Sequence, residues 1–230
     1  MSDSLVLRPE DSRNYPEFQE FGKIARLNRE VIVTEKIDGT NGQVHIRLAD
    51  GSELEHGYDC QIHVDGVPHY IRAGSRNRWV AHVGGDDNNG FGRWVYQHAH
   101  ELAALGAGSH FGEWWGQGIQ RKYGLTEKRW SLFNTGRWVR DPGEPLRETF
   151  PEGDKRAYAP ACCHVVPILA QGVGLYGPVE EALDRLRMNG SEASPGFMKP
   201  EGVVVFHVHS RESFKVTLER DQEPKNRREG

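Results

Sequence analysis

The stretch Thr34-Glu35-Lys36-Ile37-Asp38-Gly39-Thr40-Asn41 concentrates the chemistry of this 230-residue chain. Lys36 ends an apolar run containing Val31, Ile32 and Val33, and Asp-Gly follows it. A primary amine therefore sits beside a bend whose backbone N–H groups are free to meet an anion. That placement suits nucleophilic attack on a phosphate. A lysine with its ordinary pKa of about 10.4 is a cation at neutral pH, so attack needs surroundings that favour the neutral amine. Asp-Gly is also a common hairpin signal, so the motif alone equally describes an ordinary turn with an exposed lysine.

Further groups follow in order: Gly74-Ser75-Arg76-Asn77, Phe111-Gly112-Glu113-Trp114, Leu132-Phe133-Asn134, Glu201-Gly202-Val203-Val204 and Ser213-Phe214-Lys215-Val216. Taken singly, Glu113 and Glu201 read as solvated carboxylates and Phe133 as core. Arg76, with Arg72 and Arg78, reads as a phosphate-binding strip or as surface charge. Taken together and in this order, from residue 35 to 217, they resemble the motifs of the covalent nucleotidyltransferases, whose signature is Lys-x-Asp-Gly. That superfamily comprises DNA ligases, RNA ligases and mRNA capping enzymes. Thr40-Asn41 after the glycine is similar to the RNA ligase branch that includes the kinetoplastid RNA-editing ligases. DNA ligases and capping enzymes usually carry arginine where this chain has Asn41.

The resemblance implies an ATP-dependent RNA ligase that uses ATP and Mg²⁺ or Mn²⁺. Lys36 would carry AMP, pass it to an RNA 5′-phosphate, and a 3′-hydroxyl would then displace it. Lys36, Lys215 and Glu201 would be catalytic. Glu35 and Phe133 would frame the base, Ile37 would also bind the cofactor, and Asn41, Arg76 and Glu113 would hold the ribose and phosphate. Glu201 and Glu113 would hold the metal, and Lys215 and Thr217 the α-phosphate. The partners would be RNA ends, in a nicked duplex or a single strand, with a repair partner supplying further grip. Thr217 departs from the family, which has a second lysine there; a hydroxyl donates a hydrogen bond but brings no charge. The departure raises an alternative, an end-binding protein or a ligase of pre-adenylated ends with weak self-adenylylation. A minimal DNA ligase or a capping-type guanylyltransferase fits Asn41 less well.

The elements that must position these residues can be read from periodicity. A strand over 30–36 and another in which Val44, Ile46 and Leu48 alternate suggest an antiparallel pair closed by the bend at 38–42. Residues 50 to 68 are polar, and Tyr70 to Ala73 reads as a third strand. Phe91 to Leu105 reads as one helix with Trp94, Val95, His98, Leu102 and Leu105 on a face and Gly106 as its stop. Strands are expected around 109–115, 130–134 and 163–169, and a helix over 178–188, with Pro178 at its start and Gly190 past its end. Two last strands cover 202–208 and 213–218, with Lys215 and Thr217 on one face. The Pro- and Gly-rich stretch 137–160 reads as a surface excursion. The sum is an α+β fold, an antiparallel-sheet nucleotidyltransferase domain of the ATP-grasp-like ligase adenylation type with a few helices. It would occupy 1–220, with a charged, frayed tail over 221–230 and no OB domain.

Composition sets limits. With 37% hydrophobic and 27% charged residues the chain is of the soluble globular class. A net charge of −4 means that nucleic-acid contact must come from a local basic surface. Arg121, Lys122, Lys128 and Arg129, interleaved with Tyr123 and Trp130, are the candidate strip. Three cysteines, two of them adjacent, argue against a disulfide framework. His56, Cys60, His63 and His69 match no common zinc spacing and fit a hairpin extension, while Cys162-Cys163 opens an apolar strand and reads as core. No run is long enough to span a bilayer and the first residues lack a signal-peptide pattern, so a cytoplasmic location is expected.

Overall fold

The computed structural model describes residues 17–143, 148–219 and 221, so the first 16 residues and almost all of the expected tail lie outside it. The fold is α+β, with β1 (Glu30–Lys36), β2 (Thr40–Leu48), β3 (Asp59–Val64), β4 (Val67–Gly74), α1 (Phe91–Gln97) and α2 (Ala99–Leu102). After a 3₁₀ turn (Ala103–Leu105) come β5 (Gly108–Gly116), β6 (Lys128–Leu132), β7 (Trp138–Val139), β8 (Ala157–Tyr158) and β9 (His164–Val165). The chain closes with β10 (Ile168–Val173), α3 (Tyr176–Asn189), β11 (Gly202–His207) and β12 (Glu212–Thr217). One sheet has four strands in the order β10-β1-β11-β12, another has six in the order β3-β4-β2-β5-β6-β9, and β7 and β8 pair separately.

The expected β1–β2 hairpin is not formed. β1 pairs with β10 and β11, β2 pairs with β4 and β5, and the Asp38-Gly39 bend carries the chain from one sheet to the other. The bend is tied to β5: the Gly39 N–H donates to Glu113 Oε1 at 3.0 Å, and a Cβ on Gly39 would stand 2.5 Å from the Trp114 carbonyl oxygen. A glycine is needed there to admit that approach.

The expected strand 163–169 is likewise two strands. β9 runs parallel to β6 in the six-stranded sheet, Pro167 interrupts, and β10 runs antiparallel to β1 in the other sheet. Proline has no N–H to continue a ladder, and its carbonyl instead accepts the Glu35 N–H at 3.0 Å. Polar-looking residues 59–64 form β3, hairpinned to β4, because Cys60 and Ile62 point to the core between outward-facing neighbours. The single helix expected over 91–105 is interrupted at His98, whose backbone (φ −103°, ψ 15°) leaves the helical region. The excursion 137–160 is not wholly superficial, since Trp138 and Ala159 are buried. The sheets are antiparallel except for the pairs β6–β9 and β7–β8.

Each sheet buries one face. α1 and α2 cover the six-stranded sheet, with Phe91, Val95 and Leu102 packed on Val44, Ile71, Trp114 and Trp130. α3 covers the four-stranded sheet through Ala182, Leu183 and Leu186 on Val31, Val33, Val203 and Val205. Each of the buried valines and leucines contributes on the order of 1.5–3 kcal/mol. A seam of Ile37, Trp115, Tyr123 and Val166 packs around the bend and the β9–β10 passage, where the chain changes sheets. The uncovered sides of the sheets contribute to a shared cleft.

Candidate active site

Strand alternation decides what enters the cleft. In β1, Val31, Val33 and Glu35 are buried while Ile32, Thr34 and Lys36 line a cavity of about 690 Å³. Asn41 from β2, Phe111 and Glu113 from β5, Phe133 after β6, and Val204 and Phe206 from β11 complete much of its wall. Phe111 and Phe133 are both exposed, and the Phe133 N–H donates to the Phe111 carbonyl at 3.0 Å. Two rings with open faces in such a cleft can stack on a planar base.

Lys36 is paired with Glu201: Nζ donates to Oε2, and Lys36 stands in register with Gly202 at the start of β11. Glu113 is the second carboxylate of this group. Burial pushes its pKa up from 4.5 to about 7; Lys36 and the Gly39 N–H oppose the rise, and Glu201 and Asp38 add to it. The Asp38 N–H donates to the Tyr123 hydroxyl at 2.8 Å, and Asp38 Oδ2 accepts from Arg121 Nε at 3.1 Å. Arg121 Nη1 also donates to the Lys199 carbonyl at 2.9 Å. One guanidinium thus ties the bend after Lys36 to the segment that delivers Glu201. Burial holds the Tyr123 phenol well above the usual tyrosine pKa, so it stays protonated.

The expected site residues divide accordingly. Lys36, Glu201, Glu113 and Asn41 gather around the cleft with Ile37 and Phe133, and the Asn41 carbonyl accepts from Asn88 Nδ2 at 3.1 Å. Glu35 contributes only its strand to the wall: its carboxylate points to the α3 side, where Oε2 accepts the N–H groups of Glu192 and Ala193, each at 2.9 Å. Oε1 is buried without a hydrogen-bond partner, and burial raises the Glu35 pKa against the Ser191 hydroxyl and those two N–H groups. Its evident work is to pin the loop after α3. Arg76 is exposed on the turn after β4, outside the cleft lining. Arg72 is held by Asp59 and Glu55, and Arg78 by Asp86.

Lys215 is exposed on edge strand β12, opposite Val204, at the margin of the cleft. The Thr217 hydroxyl donates to the Glu219 carbonyl at 2.9 Å. Of the basic strip, Arg121 serves Asp38, Lys128 Nζ donates to the Asn89 carbonyl at 2.6 Å, and Arg129 pairs with Glu127. Arg121 and Tyr123, which the sequence suggested only for a nucleic-acid strip, instead hold Asp38, which lay in plain view within Lys-x-Asp-Gly. For the metal, Glu113 and Glu201 supply hard oxygen donors, and a half-buried carboxylate with a raised pKa is one that a divalent cation would suit.

No curated protein sequence matches the chain. Among solved structures, a ligand-free mutant of a Naegleria gruberi RNA ligase is 18% identical with a TM-score of 0.48, over 88% of this chain and 57% of that one. A mutant of Naegleria gruberi RNA ligase with ATP and Mn is 20% identical with a TM-score of 0.48, over 83% of this chain and 49% of that one. Another, with AMP and Mn, is 18% identical with a TM-score of 0.48, over 83% and 50%. This chain therefore spans about half the length of those proteins. No helix among the described residues is long and apolar enough to cross a membrane. The family model for RNA ligase matches residues 29–217, from the strand before Lys36 to the end of β12, and the chain belongs to that family.

Proposed function

We propose that this protein is an ATP-dependent RNA ligase of the KxDGTN branch, with Lys36 as the residue that carries AMP. The observation behind the proposal is a lysine amine opening into a cleft of nucleotide size, in contact with Glu201 and near Glu113, with Phe133 exposed on the wall. Attack requires the free amine; Glu201 Oε2 touches Nζ but its charge favours the ammonium form, so a divalent cation engaging that carboxylate would help release Nζ. The Nζ lone pair then forms a bond to the α-phosphorus of ATP as the bond to the bridging oxygen breaks, and pyrophosphate leaves with that electron pair. In the second step an oxygen of an RNA 5′-phosphate displaces Lys36 and takes AMP. In the third a 3′-hydroxyl attacks the activated end, loses its proton, and AMP departs. A divalent cation held by Glu113 and Glu201 would offset charge on the phosphate oxygens. The natural setting of the RNA ends, nick or single strand, and any repair partner belong to the same proposal.

The decisive experiment is incubation with α-labelled ATP and Mg²⁺, comparing the native chain with Lys36→Ala. A Lys36-dependent adduct is expected with ATP and little with GTP; absence of any adduct, or a preference for GTP, overturns the reading.

One observation favours the variant in which self-adenylylation is weak. Lys36, His110 and Arg137 are the only basic residues among the described ones that line the cleft. Burial lowers the His110 pKa, so its imidazole is neutral, and Arg137 already donates to the Leu105 carbonyl at 2.7 Å. Apart from Lys215 at the margin, few cations remain to receive pyrophosphate. A ligase of pre-adenylated ends would join such RNA without ATP while labelling itself poorly.

A further inference from the structure

His98 and Glu101 stand three residues apart where α1 gives way to α2, so they share a face. Cys162 lies beside them, in the turn that leads into β9. One ligand atom from each of the three falls within 4.8 Å of the others, the only such group of three or more His, Cys, Asp or Glu residues among the described ones. None of the three lines the cleft around Lys36. His98 Nδ1 and Glu101 Oε1 are 2.8 Å apart, and the Cys162 sulfur has the Cys163 sulfur at 3.8 Å. The His98 and Glu101 side chains are about a third and about half exposed, so an ion can enter from solvent and keep a water ligand.

We propose that His98, Glu101 and Cys162 form a zinc-binding site. An imidazole nitrogen, a thiolate and a carboxylate oxygen together are a donor set that zinc accepts readily and that magnesium and calcium do not, because thiolate is too soft for them. Tetrahedral zinc bonds bring ligand atoms to roughly 3.4–3.6 Å from one another. Rotamer changes of about 1 Å in partly exposed side chains close that gap. Binding sends the Cys162 thiol proton to solvent and replaces the His98–Glu101 hydrogen bond with two metal bonds. The ion would clip the helical segment to the turn entering β9. The histidine-rich β3–β4 hairpin is the poorer candidate: Cys60 faces the core while His63, of opposite strand parity, faces out.

The test uses Co²⁺ as a spectroscopic stand-in for zinc on the whole chelator-stripped protein. One Co²⁺ per chain should bind with a sulfur-to-cobalt charge-transfer band, displaced by Zn²⁺ and not by excess Mg²⁺. Cys162→Ser should abolish the band, while Cys60→Ser and Lys36→Ala should retain it, separating this site from the cleft. His98→Gln and Glu101→Gln should weaken binding at least about tenfold, the smallest loss typical even of outer-shell partners. A circular-dichroism melt checks that each variant folds; were Cys162→Ser unfolded, the two glutamine variants would decide. No charge-transfer band in the native protein, a band surviving Cys162→Ser, or unchanged affinity in both glutamine variants overturns the site.

Discussion

Glu113 should set a pH-dependent weakness in the ligand-free protein. Its pKa rises from 4.5 to about 7 on folding, because burial beside Glu201 and Asp38 outweighs the attraction of Lys36 and the Gly39 N–H. Between those two values the folded chain holds a proton that the unfolded chain has lost. The native state binds more protons, so unfolding free energy falls as pH rises through this window, and the loss is complete above about pH 7. The distance from 4.5 to about 7 is worth ~3 kcal/mol at most, and relaxation around the ionised group brings the expected value to roughly 1–3 kcal/mol. Glu113→Gln keeps a carbonyl for the Gly39 N–H and removes the charge. Urea unfolding of native and variant protein at about pH 4.5 and at pH 8 gives the difference of differences, in which titration of groups not coupled to Glu113 cancels. The variant should gain that roughly 1–3 kcal/mol only at pH 8, a Tm rise of a few degrees for a chain of this size. Equal effects at both pH values, or a larger loss at pH 8, would refute the reasoning.

The same variant should lose adenylylation if Glu113 helps hold a cation. Gly39→Ala places its Cβ against the Trp114 carbonyl at 2.5 Å and Trp115 Cβ at 2.7 Å, so it should cost about 1–3 kcal/mol in denaturant melts and misplace the bend. A stability equal to the native chain's would show that the bend can move away. Arg121→Met should slow adenylylation by on the order of 10²-fold through misplacement of Asp38 and Glu201, mainly in kcat, with partial recovery in Arg121→Lys. A pure rise in KM for ATP would assign Arg121 to binding instead. Thr217→Lys should increase self-labelling by adding a cation beside Lys215; unchanged or lower labelling would locate the weakness elsewhere.

Much of this was legible in the chain because the motifs are carried by strands with clear alternation. The rule that places Lys215 and Thr217 on one face of β12 holds, since their partners in β11 are Val204 and Gly202. Lys36 at the end of an apolar run is likewise a strand end beside a bend. What the sequence hid is where strands find their partners. Asp-Gly reports a reversal but carries no information on the sheet that receives the next strand, and both edges of β1 are taken by segments more than 130 residues away. Pro167 lies inside the stretch 163–169 that reads as one strand, and the ladders place its two pieces in different sheets. Glu35 is a related case: its strand lines the cleft while its carboxylate turns to the loop after α3. Adjacent to Lys36 in sequence, it faces the opposite side of β1, a consequence of strand period that proximity to a motif obscures. Arg121 stood out only as a candidate for nucleic-acid contact; its tie between Asp38 and Lys199 was not legible, because the fold gathers those partners.

The register between β1 and β11 acts as a ruler for the reacting amine. Six consecutive pairs, from Val31 with His207 to Lys36 with Gly202, fix where Nζ meets Glu201. A slip of one residue would keep most of the hydrogen bonds but invert every side chain, turning Glu35 into the cleft and Lys36 toward the apolar layer over α3. The valines at 31, 33, 203 and 205 resist that inversion because it would expose them. Aliphatic packing on the far face of the sheet is therefore part of what aims the lysine, and cavities opened there should be read out in labelling rate as well as in melting temperature.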